Sequence, residues 1–284
     1  MKKITSILLC LTWGISAFAQ GFQEEIHELN RIGQQLISSI SDDEKMQANE
    51  EFKKTLSTLI NKPASFDTNL DSLKTISILQ SDQLKIYNWT IPFSDGTYQY
   101  FAFLQIKRDK STFQTVELID KSEEINKPET KILTPNSWYG ALYYKLIEEK
   151  KLGTQVYTLL GWDGNNLLTN KKIIDVISID KNGNIKLGAP VFKAKRKTYK
   201  RVIFEYAENA VMSLKYHQRS HQIVFDYLVP TSSNLTGIYE YYGPALNRFD
   251  SYKIEKKGWV YQEDIDIELD KSIKDFIWND PKEE

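Results

Sequence analysis

Cysteine is almost absent from this chain: Cys10 is the only one in 284 residues. It lies in an apolar segment that begins after Lys2 and Lys3 and ends with Ala17-Phe18-Ala19. A basic start, a short apolar core and a small-x-small end are typical of a secretory signal peptide. We therefore predict that residues 1–19 are a signal peptide and that the mature chain has no thiol. This excludes disulfides, thiol catalysis and cysteine-ligated metals from the mature protein.

Long hydrophobic runs are also missing. The apolar core of the N-terminal segment is shorter than the roughly 20 residues that a membrane-spanning helix needs, and no later run is longer. The sequence therefore predicts an exported protein without a transmembrane segment in its mature chain, located in the periplasm, on the cell surface or in the medium.

Neither sign of charge dominates, since 37 Lys and Arg residues face 38 Asp and Glu residues. This balance gives no global reason to expect nucleic acid as a partner. The Gly-x-Ser-x-Gly motif of nucleophilic hydrolases is absent, and the segments that begin at Ser122, Ser213 and Ser251 do not fit Ser-x-x-Lys. We therefore nominate no catalytic residue. Paired carboxylates for glycoside hydrolysis need only spatial proximity, so a hydrolase acting on an envelope polymer stays open as the alternative.

Residues 20–62 have the periodicity of two helices. Apolar residues follow helical spacing on one face of the first helix: Phe22, Ile26, Leu29, Leu36 and Ile40. Ser41 followed by Glu44 is the pattern of a capping box, which predicts that a second helix begins there. We expect a helical hairpin that covers a β-sheet.

Residues 63–268 alternate aromatic and β-branched runs with turn residues, which predicts about a dozen short strands, one of them at residues 237–242. Asn182-Gly183 is a strong hairpin turn, and the polar stretch 121–135 reads as a loop. The fold class is therefore mainly β, an antiparallel meander with sandwich or barrel-like form behind the helical hairpin. Residues 269–284 are predicted to form a short helix at 270–278 and a polar tail.

The turn at residues 161–166 is the candidate ligand-binding loop. Asp163, Asn165 and Asn166 offer oxygens that suit calcium. Trp162 beside them would suit a sugar ring, and the same residues would equally form an Asx turn that bonds its own backbone. Beyond this candidate calcium site the sequence predicts no cofactor and no metal.

Six cations fall within nine residues and form the candidate basic patch: Lys193, Lys195, Arg196, Lys197, Lys200 and Arg201. Such a patch could hold a phosphate, a lipopolysaccharide head group or an acidic glycan. It is equally the pattern of a solvated hairpin. An acidic run from Glu263 to Asp270 could offset its charge.

Two histidines, His217 and His221, have the spacing of a metal site on a helix, but the residues between them favour a hairpin turn.

Four segments together resemble a group of uncharacterised bacterial exported proteins: residues 161–166, 169–176, 223–230 and 241–244, with the sequences GWDGNN, TNKKIIDV, IVFDYLVP and YYGP. The resemblance spans roughly residues 85–268. It implies export and a shared fold, and it implies no activity, cofactor or site residue. Together with the missing catalytic motifs, it favours a non-catalytic module that binds an envelope component or another exported protein.

The signal peptide generates a direct prediction. Because Ala17 and Ala19 supply the small residues that signal peptidase recognises, the exported protein should begin at Gln20. Intact-mass and N-terminal peptide spectrometry of the exported protein would measure this. A chain that still begins at Met1 would contradict it.

Overall fold

The computed structural model describes residues 22–110, 112–256 and 258–266. The predicted signal peptide and the predicted helix at residues 270–278 lie outside this part of the chain. The described chain divides into two compact units. The first runs to Asn126 and also contains Leu133–Leu146 and Asp180–Ile185, and the second contains Lys127–Ile132, Ile147–Ile179 and the residues from Lys186 onward.

The two predicted helices are present as α1, residues 22–38, and α2, Asp42–Ile60. The apolar positions predicted for α1 are buried as far as Leu36. The prediction for Ile40 is wrong: the helix has ended, and the side chain is 97% exposed. The predicted cap is confirmed, because Ser41 Oγ accepts the backbone N–H of Glu44 at 3.2 Å.

A four-stranded antiparallel sheet accompanies the helices in the first unit. Its strands, in the order β1-β2-β3-β4, are Ser77–Gln80, Leu84–Pro92, Tyr98–Lys107 and Phe113–Ile119. The helices and strands β2 and β3 share one apolar core, in which Phe52 meets Trp89 edge to face at 5.2 Å. Asn49, fully buried on α2, accepts the indole N–H of Trp89 at 2.8 Å. The helical hairpin therefore covers this sheet, as the sequence predicts.

The remaining strands follow in chain order: β5 Leu142–Glu148, β6 Val156–Asp163, β7 Thr169–Ile179, β8 Ile185–Leu187, β9 Phe192–Ala194, β10 Lys197–Tyr199, β11 Val202–Ala207, β12 Leu214–His217, β13 Gln222–Pro230, β14 Tyr242–Glu255 and β15 Gly258–Gln262. The second unit contains a sheet in the order β10-β9-β15-β14-β13-β12. It also contains a layer in the order β11-β7-β6. Within these two orders, β15 and β9 are parallel, and the other neighbouring strands are antiparallel.

The two layers of the second unit share an apolar core, as in a β-sandwich. Ile174 and Val176 of β7 pack with Phe225 of β13 and Trp259 of β15. The rings of Phe204 on β11 and Phe225 lie 4.6 Å apart. A mainly β fold with an N-terminal helical hairpin is therefore confirmed. No helix among the described residues is long and apolar enough to cross a membrane.

The strand predicted at residues 237–242 is wrong. Tyr239–Tyr241 form a 3-10 turn, and β14 begins only at Tyr242. Gly237 has φ of +89°, and its N–H donates to the hydroxyl of Tyr242 at 2.9 Å. This side-chain bond closes a turn in a stretch whose aromatic content resembles a strand.

A buried ion pair lies within the second unit. Arg201 Nε is 3.1 Å from Asp175 Oδ2, and both side chains are fully buried. Arg201 Nη1 also donates to the carbonyl oxygen of Pro128 at 2.6 Å. The guanidinium therefore links β7 to the loop at Lys127–Ile132, and the buried charge of Asp175 depends on it.

We expect Arg201→Met to lower the free energy of unfolding by about 3–5 kcal/mol, because it leaves the Asp175 carboxylate buried without its counter-charge. Chemical denaturation followed by tryptophan fluorescence would measure this. Lys197→Met, a matched change at an exposed position of β10, should alter stability by less than about 0.5 kcal/mol. Equal effects of the two variants would contradict the assignment.

Candidate functional site

The turn predicted as a ligand loop joins β6 to β7. Asp163 Oδ1 accepts the backbone N–H of Asn165 at 2.7 Å, which is an Asx turn. Asn166 Oδ1 accepts the backbone N–H groups of Leu168 and Thr169 at 2.8 and 3.0 Å. Asn165 lies in the left-handed region with φ of +47°, which asparagine tolerates better than most residues. These bonds hold the turn without a ligand.

Three residues that the sequence analysis did not nominate complete the polar cluster of this turn: Lys171, Thr169 and Glu205. Lys171 Nζ donates to Asn165 Oδ1 at 2.6 Å and lies 3.8 Å from Asp163 Oδ2. Thr169 Oγ1 donates to Glu205 Oε1 at 2.8 Å. Glu205 and Lys171 are directly paired across β11 and β7, a relation that only the strand register reveals. The ammonium of Lys171 thus supplies the positive charge that a calcium ion would otherwise bring.

Trp162 belongs to the sheet more than to the turn. It is half-buried on β6, opposite Lys172 of β7, and its side chain is hydrogen-bonded to that of Tyr206. Burial raises the pKa of the Tyr206 hydroxyl, and the bond from Trp162 lowers it by less. Asn166, Leu167 and Leu168 are exposed at this turn, so its surface is partly apolar.

The predicted basic patch forms the hairpin of β9 and β10, with Ala194 paired to Lys197. Lys193, Arg196 and Lys197 are exposed and form no ion pair with any residue that the structure describes. Lys195 pairs with Glu263 at 2.8 Å, and this bond raises the pKa of its ammonium. The acidic run thus offsets one cation of the hairpin. We call these four residues the cationic hairpin.

The other two members of the predicted patch lie elsewhere. Arg201 is buried against Asp175 and is not part of any exposed surface, so its inclusion in the basic patch is wrong. Lys200 donates to the carbonyl oxygen of Thr130 at 2.5 Å. Lys200 and Arg201 therefore both stabilise the loop at Lys127–Ile132, because each donates a hydrogen bond to one of its backbone carbonyl oxygens.

A further cation, missed by the sequence analysis, lies close to the hairpin. The guanidinium carbon of Arg248 on β14 is 3.5 Å from the ring centre of Tyr227 on β13. Lys195 is near enough to both side chains for their charges to influence its ammonium. The strand pattern around residue 227 gave no sign of this contact, because it arises where the register of β13 shifts between Asp226 and Leu228.

The histidine pair does not converge. His221 Nδ1 lies 2.7 Å from Glu149 Oε1, and Tyr216 donates its hydroxyl to the same oxygen at 2.5 Å. Burial and the bond to Glu149 raise the pKa of Tyr216. Successive residues of a strand point to opposite faces, so His217 points away from the side of Tyr216. The turn interpretation of residues 217–221 is confirmed by the β12–β13 pairing.

The first unit contains a polar cavity of about 270 Å³, lined by Asp67, Asn69, Asp71 and Lys85 among others. Lys85 is buried, and its ammonium donates to three carbonyl oxygens, those of Ser65, Phe66 and Thr68. Burial lowers its pKa to about 8. Since an ammonium has three protons, all of them are used to hold this loop.

Within the described ranges, no group of three or more His, Cys, Asp or Glu side chains is placed to hold a metal ion. No protein family model matches the chain, and neither a curated protein nor a solved structure matches it.

The turn at residues 161–166 generates a test of structure against binding. Asp163→Ala should lower the free energy of unfolding by about 1 kcal/mol, because it removes the Asx bond. Thermal unfolding with and without calcium should show the same loss, since Lys171 already lies beside the carboxylate. Asp266→Ala, an exposed acid, is the control. Stabilisation of the unmodified protein that grows with calcium concentration would contradict the structural role.

Proposed function

We propose that this protein is an exported, non-catalytic binding module that contacts an anionic component of the cell envelope through the cationic hairpin. The signal-peptide pattern supports export, and the resemblance to bacterial exported proteins is part of the same proposal. The observation that carries the binding role is the exposure of Lys193, Arg196 and Lys197 without an acid beside them among the described residues.

The electrostatics favour a polymer over a small anion. Exposed cations at one hairpin are individually weak, because solvent and salt screen each of them. Several such charges act together on a ligand that carries many anions along its length, and they raise the association rate as well. An acidic glycan or a phosphate-bearing polymer has this property. The chain as a whole is close to neutral, so the attraction is local to this surface.

The hairpin is also well fixed for such a role. Phe192, the first residue of β9, is fully buried and meets Tyr252 edge to face at 5.6 Å. Its neighbour Trp259 on β15 is fully buried and donates its indole N–H to Thr158 at 3.0 Å. A rigid base lets the exposed cations bind without a large ordering cost at the backbone.

The proposal predicts that the protein binds polygalacturonate or polyphosphate in a salt-dependent manner. Changing Lys193, Arg196 and Lys197 to Glu should weaken binding at least tenfold, because it removes three favourable charges and adds three repulsive ones. Biolayer interferometry at two salt concentrations would measure this. Changing Lys110, Lys181 and Lys186 to Glu makes the same change in net charge at exposed positions that are not part of the hairpin, and should have a much smaller effect. Equal losses would show that net charge alone is responsible.

A further inference from the structure

Arg248 is held in a fixed orientation beside the cationic hairpin. The register shift between Asp226 and Leu228 places Tyr227 outside the regular pairing of β13 with β14, and the guanidinium lies on its ring. Asp250 Oδ1 is 3.6 Å from Arg248 Nε. Asp250 is itself fixed, since it is fully buried and accepts the hydroxyl of Tyr261 and the backbone N–H of Asp264. Tyr227 therefore orients the face of the guanidinium, and Asp250 orients its Nε edge.

The donors of this guanidinium are not used by the residues that the structure describes. Arg248 Nε is buried and has no hydrogen bond, and the two terminal nitrogens form no hydrogen bond with any described residue. The side chain is 36% exposed, so a ligand can reach it. Arginine presents a planar fork that matches two oxygens of one anion. An anion can therefore accept from the two terminal nitrogens, whereas the buried Nε faces Asp250.

The charges around the fork restrict the ligand. Arg248 and Lys195 are positive, and the carboxylates of Asp250 and Glu263 lie beside them. A doubly charged phosphate monoester would be repelled by the two carboxylates. A singly charged oxyanion gains the bidentate contact with less repulsion. Carboxylates of uronic acids and phosphodiesters share this chemistry.

We infer that Arg248, supported by Tyr227 and flanked by Lys195, is a binding subsite for one singly charged oxyanion, a carboxylate or a phosphodiester, of the ligand. This inference rests on the proposed function, because the subsite adds a specific contact beside a hairpin that attracts anions in general. The hairpin supplies attraction, and Arg248 selects the geometry of the anionic group.

The test uses the exported protein and three small probes: trigalacturonate for the carboxylate, diethyl phosphate for the phosphodiester, and inorganic phosphate. Arg248→Lys keeps the charge and removes the fork, so binding of the preferred probe should weaken about tenfold. Arg31→Lys, the same change at an exposed position of α1 that is not part of the cationic hairpin, should leave it unchanged. The Nε–Hε signal of Arg248 in nuclear magnetic resonance spectra should shift on addition of the probe.

Arg248→Gln and Tyr227→Leu extend the test. Thermal unfolding of each variant shows whether it folds, and each folded variant should bind the probe more weakly than the unmodified protein. Binding of polygalacturonate that is equal in the unmodified protein and in Arg248→Lys would overturn the subsite and leave the proposed function standing. Failure of every anion to bind the unmodified protein would overturn both. Tighter binding of inorganic phosphate than of diethyl phosphate would overturn the restriction to a single charge.

Discussion

The buried ion pair between Arg201 and Asp175 is the interaction on which the second unit most depends. A guanidinium and a carboxylate removed from water are costly unless each donor and acceptor is satisfied. Arg201 offsets much of this cost by bonding the carboxylate of β7 and the carbonyl oxygens of Pro128 and Lys131. Its position leaves little room nearby, since a Cβ added at Gly188 would lie 3.1 Å from its Nη2 and 2.9 Å from the Lys131 carbonyl oxygen. Residue 188 also has φ of +87°. Glycine suits this position because it has no Cβ and because it adopts positive φ without strain.

The same principle separates structural polar groups from those available to a ligand. At the turn between β6 and β7, Asp163, Asn165 and Lys171 satisfy one another, so the cluster stabilises the fold and leaves no charge to offer. At the ammonium of Lys85, three carbonyl oxygens use all the donors. The cationic hairpin and Arg248 differ, because Lys193, Arg196, Lys197 and the terminal nitrogens of Arg248 have no acid paired with them among the described residues. Lys195 alone of the hairpin pairs with a described acid, Glu263. The proposed binding of an anion therefore rests on which donors are open and not on the number of charges in a segment.

The first unit shows how a small sheet gains a covering layer. The face of β2 and β3 that carries Trp89 and Phe103 would be exposed without α1 and α2. Burial of large aromatic side chains supplies most of the stabilisation at such a face. The hydrogen bond from Trp89 to Asn49 then fixes how α2 lies on the sheet, since a buried indole N–H without a partner would be costly. The sequence analysis placed a boundary between the helical hairpin, residues 20–62, and the strands that follow. In the structure the hairpin and the first sheet belong to the same compact unit.

The sequence by itself determined the elements whose signals are local. Helical spacing from Phe22 to Leu36, the Ser41 cap and the β-branched strands depend on neighbours within one or two turns, and these predictions were correct. Only the tertiary structure decided that Arg201 leaves the basic run for the core, that residues 237–242 form a turn, and that Tyr227 supports Arg248. Two of these outcomes depend on a partner far along the chain: Asp175 pairs with Arg201, and Tyr227 lies against Arg248 where the register of β13 shifts. Burial and cross-strand register are set by the packing of whole sheets, and no local pattern encodes them.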